Sequence, residues 1–268
     1  MTAGGVRGAL RDTSVLTWRN LVHIGREPLR LSDVTVQPVL FTLLFIYVLG
    51  SGILVPHGSY AEFAIAGLLA MNLVTSAIGT AVGLSDDLGT GVIDRFRTLP
   101  MWKPAVLVGR SLTDLLTAIL CATIVVLTGL VVGWRAHNDA ASVAAGFAVF
   151  MLFAYALSWV CACIGLFARD AESSQGIGLV ILFPLAIVSD ALVPTQHMPA
   201  VVRAIAEWNP VSAVTTASRR LLGNPDAARA VHAWPLEHAT LAAVLWSLVL
   251  LAVFAPLAVW LYRTRTSE

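Results

Sequence analysis

Charge is scarce in this chain. Only 12% of its 268 residues are Asp, Glu, Lys or Arg, against 57% hydrophobic residues, and the mean hydropathy is +0.80. A soluble domain of this length needs more polar surface than that to meet water. No Gly-rich phosphate loop of the P-loop kind occurs, which excludes nucleotide binding in that manner. Nothing near the start is apolar enough for a signal-peptide core, so the amino terminus is expected to stay on the side where it is made. Cys121, Cys161 and Cys163 all fall within apolar stretches with no histidine close in sequence, and residues two apart on a helix point to different faces. They read as small buried hydrophobes, with no metal site. All six histidines lie at or outside the edges of the apolar stretches, which argues against an embedded hydrolase or transferase. The net charge of +1 offers no basic surface for nucleic acid.

What the chain has instead is a series of stretches free of charge, at 34–61, 63–85, 115–134, 140–168, 173–189 and 238–262. Most meet the roughly 20 residues that about 30 Å of hydrocarbon demands, and none shows the alternation of a barrel strand, so helices are the remaining way to satisfy the backbone in lipid. The predicted fold is all-α: a single membrane domain over 1–268 with six spanning helices. The fifth reaches spanning length only if it passes Asp190 and runs to Val193. Arg7, Arg11, Arg19, Arg26, Arg30, Arg95, Arg97, Lys103, Arg169, Arg263 and Arg265 fall on one side of these spans, and the short loops on the other side carry only Arg135; the exception is the segment 194–237 with Arg203, Arg219, Arg220 and Arg229, whose length makes it count less. By the positive-inside rule both termini are expected in the cytoplasm, with the chain in the inner (plasma) membrane.

Residues 12–30 predict an amphipathic helix in the headgroup layer, with Val15, Trp18, Val22 and Leu29 on one face and Arg19, Asn20, His23, Arg26, Glu27 and Arg30 on the other. A topogenic basic tail is the alternative. The loop 85–104 places Val92, Ile93, Phe96 and Leu99 at helical spacing among Asp94, Arg95 and Arg97, and Pro100 and Pro104 stop it. By itself such a stretch also fits an ordinary solvated loop. In 194–237, two short helices, 199–208 and 211–222, break at Asn209 and Pro210.

The stretch 91–101, GVIDRFRTLPM, followed by Leu107, Gly109, Arg110 and Asp114, resembles the corresponding part of ABC-2 type permeases of the daunorubicin-resistance exporter group. Downstream, Phe183-Pro184, Asp190, Pro194, Met198-Pro199, Glu207 through Ser212 and Arg219-Arg220 resemble that group's signature around the fifth span. The resemblance implies a non-catalytic permease, paired with a second copy or a paralogue and driven by separate ABC ATPase subunits that bind ATP and Mg. It makes Gly91, Asp94, Arg95, Phe96, Arg97, Leu99 and Pro100 the candidates for coupling to the ATPase. It also suggests that 194–237 is re-entrant, with Pro199, Val202, Ile205, Trp208, Asn209 and Pro210 capping the transport path; a folded external loop is the other reading.

Polar residues within spans are functional candidates by default. Arg110 and Asp114 stand one turn apart and suit an ion pair, while Asn72 and Asp190 face either a dimer cavity or neighbouring helices. Apolar walls with few fixed charges suit an amphipathic, drug-like or lipid-like cargo moved outward from the cytoplasm or inner leaflet. A secondary transporter is the competing function, with only Asp114 and Asp190 to carry coupling-ion chemistry.

Overall fold

The computed structural model describes residues 6–26, 28–50, 52, 59–90, 105–226 and 233–265, whose regular elements are helices with no strand among them. Helix α1 (Val6–Arg26) gives way at Pro28 to α2 (Pro28–Leu44), which continues as a π-helical turn through Leu49. The single helix expected over 12–30 is thus divided, because Pro28 has no N–H to extend α1 and a φ suited to a first turn. Three long helices follow: α3 (Tyr60–Gly89), α4 (Ala105–Val132) and α5 (Ala140–Phe167). Shorter pieces come next: α6 (Ala171–Ile187), a 3-10 turn at Thr195–His197, α7 (Ala200–Glu207), α8 (Pro210–Leu222) and the single turn α9 (Trp234–Glu237). The last helix is α10 (Ala239–Arg265).

Among the described residues, five segments are long and apolar enough to cross a membrane: Leu31–Leu49, Tyr60–Gly89, Ala105–Val132, Ala140–Phe167 and Ala239–Arg265. The expected fifth span does not run to Val193; α6 has 17 residues and stops at Ile187. The Asn209 amide donates to the carbonyls of Leu185 and Val188, each at 2.6 Å, and the Ser189 hydroxyl donates to the carbonyl of Ala186. Side chains therefore satisfy the carbonyls that another helical turn would have used. At about 1.5 Å per residue α6 is ~26 Å long, a little under the hydrocarbon thickness.

The most apolar windows of α3 and α5 are 72% and 67% buried, against 22–28% for the other spans, so these two helices form the centre. α3 packs on α4, α5, α6 and α8, and α5 packs on α3, α4, α8 and α10. Glycine permits the closest approaches: a Cβ at Gly165 would strike the backbone of Ala81, and one at Gly67 the carbonyl of Ala191. Side chains also start the helices. Ser59 and Glu62 form a capping box on α3, and Asp139, Asp170 and Asn209 cap α5, α6 and α8. Hydrogen bonds from Ser142 and from Ser173 hold the Asp139 and Asp170 carboxyls below the usual carboxylate range.

Two ends of the bundle can be told apart. At one, Arg265 donates to the carbonyl of Phe167 and Arg19 meets Asp87, which groups the ends of α3, α5 and α10 with α1 and the start of α4. At the other, Trp134 donates to Asn224, Asn138 donates to the carbonyls of Arg220 and Leu221, and the His137 amide donates to the carbonyl of Leu222. These bonds stitch the α4–α5 loop to the end of α8, where Gly223 takes the left-handed φ of +72° that closes a helix.

Candidate functional site

Each end of the bundle carries a polar cluster in otherwise apolar surroundings. At the end holding Asp87, four charged side chains form a ladder across three helices. Arg19 on α1 donates to Asp87 on α3 at 3.1 and 3.3 Å, and Arg110 on α4 stands 3.9 Å from the same carboxylate. Arg110 Nε then lies 3.8 Å from Asp114 Oδ1, one turn along α4, and the Thr80 hydroxyl donates to Asp114 Oδ2 at 2.7 Å. A further Arg110 nitrogen donates to the carbonyl of Gly79 at 3.0 Å, and the guanidinium fills the space where a side chain on Gly83 would sit. A glycine in α3 is what lets this cation lie flat against the helix.

The ladder also sets the orientation of α1. Thr13, Leu16 and Thr17 are buried against α4, with the Thr17 hydroxyl 3.2 Å from the carbonyl of Gly109, and Asn20 is buried too, while Leu10, Val15 and Trp18 point outward. Asn20 and Arg19, expected on a solvated face, turn inward instead. Their hydrogen-bonding groups find partners in the protein, and the apolar side chains are left for the surroundings.

At the opposite end, Asp190, in the turn after α6, and Arg219, on α8, form an ion pair of 2.7 Å with both side chains 0% exposed. The other two Arg219 nitrogens, Nε and Nη2, donate to the carbonyls of Phe63 at 3.0 Å and Ala191 at 2.7 Å, and its guanidinium stacks 3.6 Å over the Phe63 ring. Thr216 donates to Asp190 at 3.2 Å, and the Asp190 amide donates to Ser212 at 2.8 Å. α8 consequently buries Ser212, Thr215, Thr216, Ser218 and Arg219 in the middle of the protein. The shared polar partners make such burial tolerable.

Of the residues expected to matter, Gly91, Asp94, Arg95, Phe96, Arg97, Leu99 and Pro100 lie outside the described residues. Arg110 and Asp114 meet, as stated above. Asn72 is buried and donates to the carbonyl of Leu68, four residues back in its own helix. Asp190 is occupied by Arg219 inside the chain. In the expected cap, Pro199 and Asn209 are the residues just before α7 and α8, Pro210 opens α8, Val202 is half-buried, and Ile205 and Trp208 are exposed. Sequence reasoning did not single out Arg19, Thr80, Asp87 or Arg219 as site residues. For Arg219 a signal existed: an Asp at the end of an apolar helix requires a cation, and Arg219 sits among Ser and Thr on a helix too polar for lipid.

The model of the ABC-2 type transporter family matches residues 11–222, from within α1 to the last residue of α8. The chain belongs to that family. Both polar clusters lie inside the matched region of this ABC-2 family member. It is 32% identical over 268 residues to the daunorubicin resistance ABC transporter permease protein DrrB1 of Streptomyces coeruleorubidus, covering 97% of this chain and 89% of that protein. It is also 24% identical over 217 residues to the probable doxorubicin resistance ABC transporter permease protein DrrC of Mycobacterium tuberculosis, covering 80% and 78% of the two chains. The putative transport permease ycf38 of Pyropia yezoensis is similar at 22% over 216 residues, with 79% and 74% covered. These relatives are named as permeases, and the helical spans make this family member a multi-pass membrane protein.

Proposed function

We propose that this chain is the membrane subunit of an ATP-driven exporter that moves an amphipathic, drug-like or lipid-like molecule outward, with ATP and Mg bound by a separate ABC ATPase. The observation that carries this reading is the similarity to DrrB1 along 97% of the chain. The polar clusters add support, because Asp114 and Asp190 each face an arginine and neither is left as a free coupling-ion ligand. In this reading α6 is a sixth, short crossing, both termini are cytoplasmic, and two permeases pair about the path. The α7–α8 pair closes its outer end, held by Asp190 and Arg219. The ATPase docks on the segment 91–104, between the end of α3 and the start of α4, with Phe96 as apolar anchor and Asp94, Arg95 and Arg97 fixing register by charge.

The test is reconstitution with an ABC ATPase and an anthracycline as probe. Export is expected to require ATP and the partner, and Phe96→Ala is expected to weaken ATPase association by about 1–3 kcal/mol while leaving membrane insertion intact. Transport driven by a proton gradient without any ATPase would overturn the reading. Undiminished ATPase capture by Phe96→Ala would remove the docking assignment.

A further inference from the structure

The outward faces of α1 and α7 share an apolar register and differ in charge. Along α7 and the residue that caps it, Val201, Ile205 and Trp208 recur at i, i+4 and i+7 and are 75%, 58% and 59% exposed. Its arginine is turned away from that stripe: Arg203 donates to the carbonyls of Gln196 and Met198 at 3.1 and 3.0 Å. On α1, Val15 and Trp18 stand in the same relation, 59% and 70% exposed, but here the stripe continues into exposed Arg11 at one end and exposed Arg26 at the other. With 3.6 residues per turn, Arg11, Val15, Trp18, Val22 and Arg26 project within about 80° of one another. The whole of α1 holds four arginines against one carboxylate, Asp12.

An apolar centre closed at both ends by guanidinium groups matches a particular boundary. Val15 and Trp18 gain by leaving water, whereas Arg11 and Arg26 gain by meeting phosphate, whose oxygens a guanidinium engages two at a time. The other side of α1 is already committed to α4 through Thr13, Leu16 and Thr17, so the stripe is free to meet the surroundings. We propose that the Arg11–Val15–Trp18–Arg26 face of α1 is a docking surface for anionic phospholipid, with each arginine holding a headgroup phosphate and Val15 and Trp18 resting at the acyl boundary. The proposal rests on the cytoplasmic orientation given above, which is the side of the anionic leaflet. Arg19 ties the docked helix to Asp87, near the end of α3, so lipid charge bears on how α1 sits against α3.

The test uses full-length protein in nanodiscs, with Cys121, Cys161 and Cys163 replaced by alanine and a bimane label on Val15→Cys or Ile205→Cys. Doxyl-labelled phosphatidylglycerol is compared with doxyl-labelled phosphatidylcholine at equal mole fraction. At position 15 the anionic lipid is expected to quench at least about threefold more efficiently, since one arginine at an anionic surface accounts for roughly that factor or more. That preference is expected to vanish in Arg11→Gln/Arg26→Gln and to persist in Arg11→Lys/Arg26→Lys, and the label at position 205 should show none in any background. Equal quenching by the two lipids at position 15, or a preference that survives the glutamine pair, would overturn the proposal. Quenching by aqueous iodide that is relieved only when the ATPase is added would overturn it too, and would assign the face to the protein partner. ATP-driven export is read separately on the same preparation, so a failure of lipid docking is distinguishable from a failure of the exporter reading.

Discussion

The two polar clusters solve the same problem, charge inside an apolar bundle, in opposite ways. Asp190 and Arg219 are 2.7 Å apart and fully buried, and Arg219 has further hydrogen bonds to Phe63 and Ala191. The ladder at the other end has arginine–carboxylate separations of 3.1, 3.8 and 3.9 Å with side chains 13–39% exposed. A dry, short pair whose contacts converge on one Asp190 oxygen has one good geometry, and losing either partner strands a charge. A looser, partly exposed ladder of alternating charges tolerates a change in spacing at less cost, because Arg110 has two carboxylates, Asp87 and Asp114, at 3.9 and 3.8 Å. The comparison teaches that the end carrying α8 concentrates its charge in one short, buried contact, while the end where α3 stops and α4 starts spreads its charge over longer, more exposed contacts among α1, α3 and α4.

The largest expected effect comes from breaking the buried pair. Arg219→Met strands Asp190 and should destabilise the protein by about 3–5 kcal/mol in a detergent unfolding assay, whereas adding Asp190→Leu should recover much of that loss. A double variant as unstable as the single one would mean that the pair does more than neutralise charge. Next is Gly67→Ala, whose Cβ would strike the carbonyl of Ala191. We expect a loss of about 1–3 kcal/mol from overpacking, measured the same way, because the turn that carries Asp190 must move. At the ladder, Asp114→Asn should cost about 1–2 kcal/mol, and combining it with Arg110→Ala should cost less than the sum of the single changes. Additive losses would show that the two side chains are independent. The smallest effect is expected for Arg19→Ala, under about 1 kcal/mol given its 39% exposure. If Arg19→Ala rivals Arg219→Met, the contrast between the ends is lost.

Much of the architecture was legible in the chain. Long charge-free stretches announce spanning helices because hydrocarbon leaves the backbone no other way to satisfy itself. The α7–α8 break could be read at Asn209 and Pro210, a cap and a first-turn proline. The pairing of Arg110 with Asp114 was legible too, since helical periodicity puts residues four apart on one face. These are local rules, and sequence carries local rules directly.

What stayed hidden depended on groups distant in the chain. The stop at Ile187 is set by Asn209, more than twenty residues later, which supplies the donors that end the helix. The inward turn of Arg19 needs Asp87 from another helix, and no periodicity within α1 reveals it. Sequence by itself determined that this chain lives in a membrane as a helical bundle. Only the tertiary structure decided which charges are buried, because burying a charge is a question of whether a partner arrives from elsewhere to meet it. For Arg219 the partners are Asp190, Phe63 and Ala191, which are brought together by the packing of α3, the turn after α6, and α8.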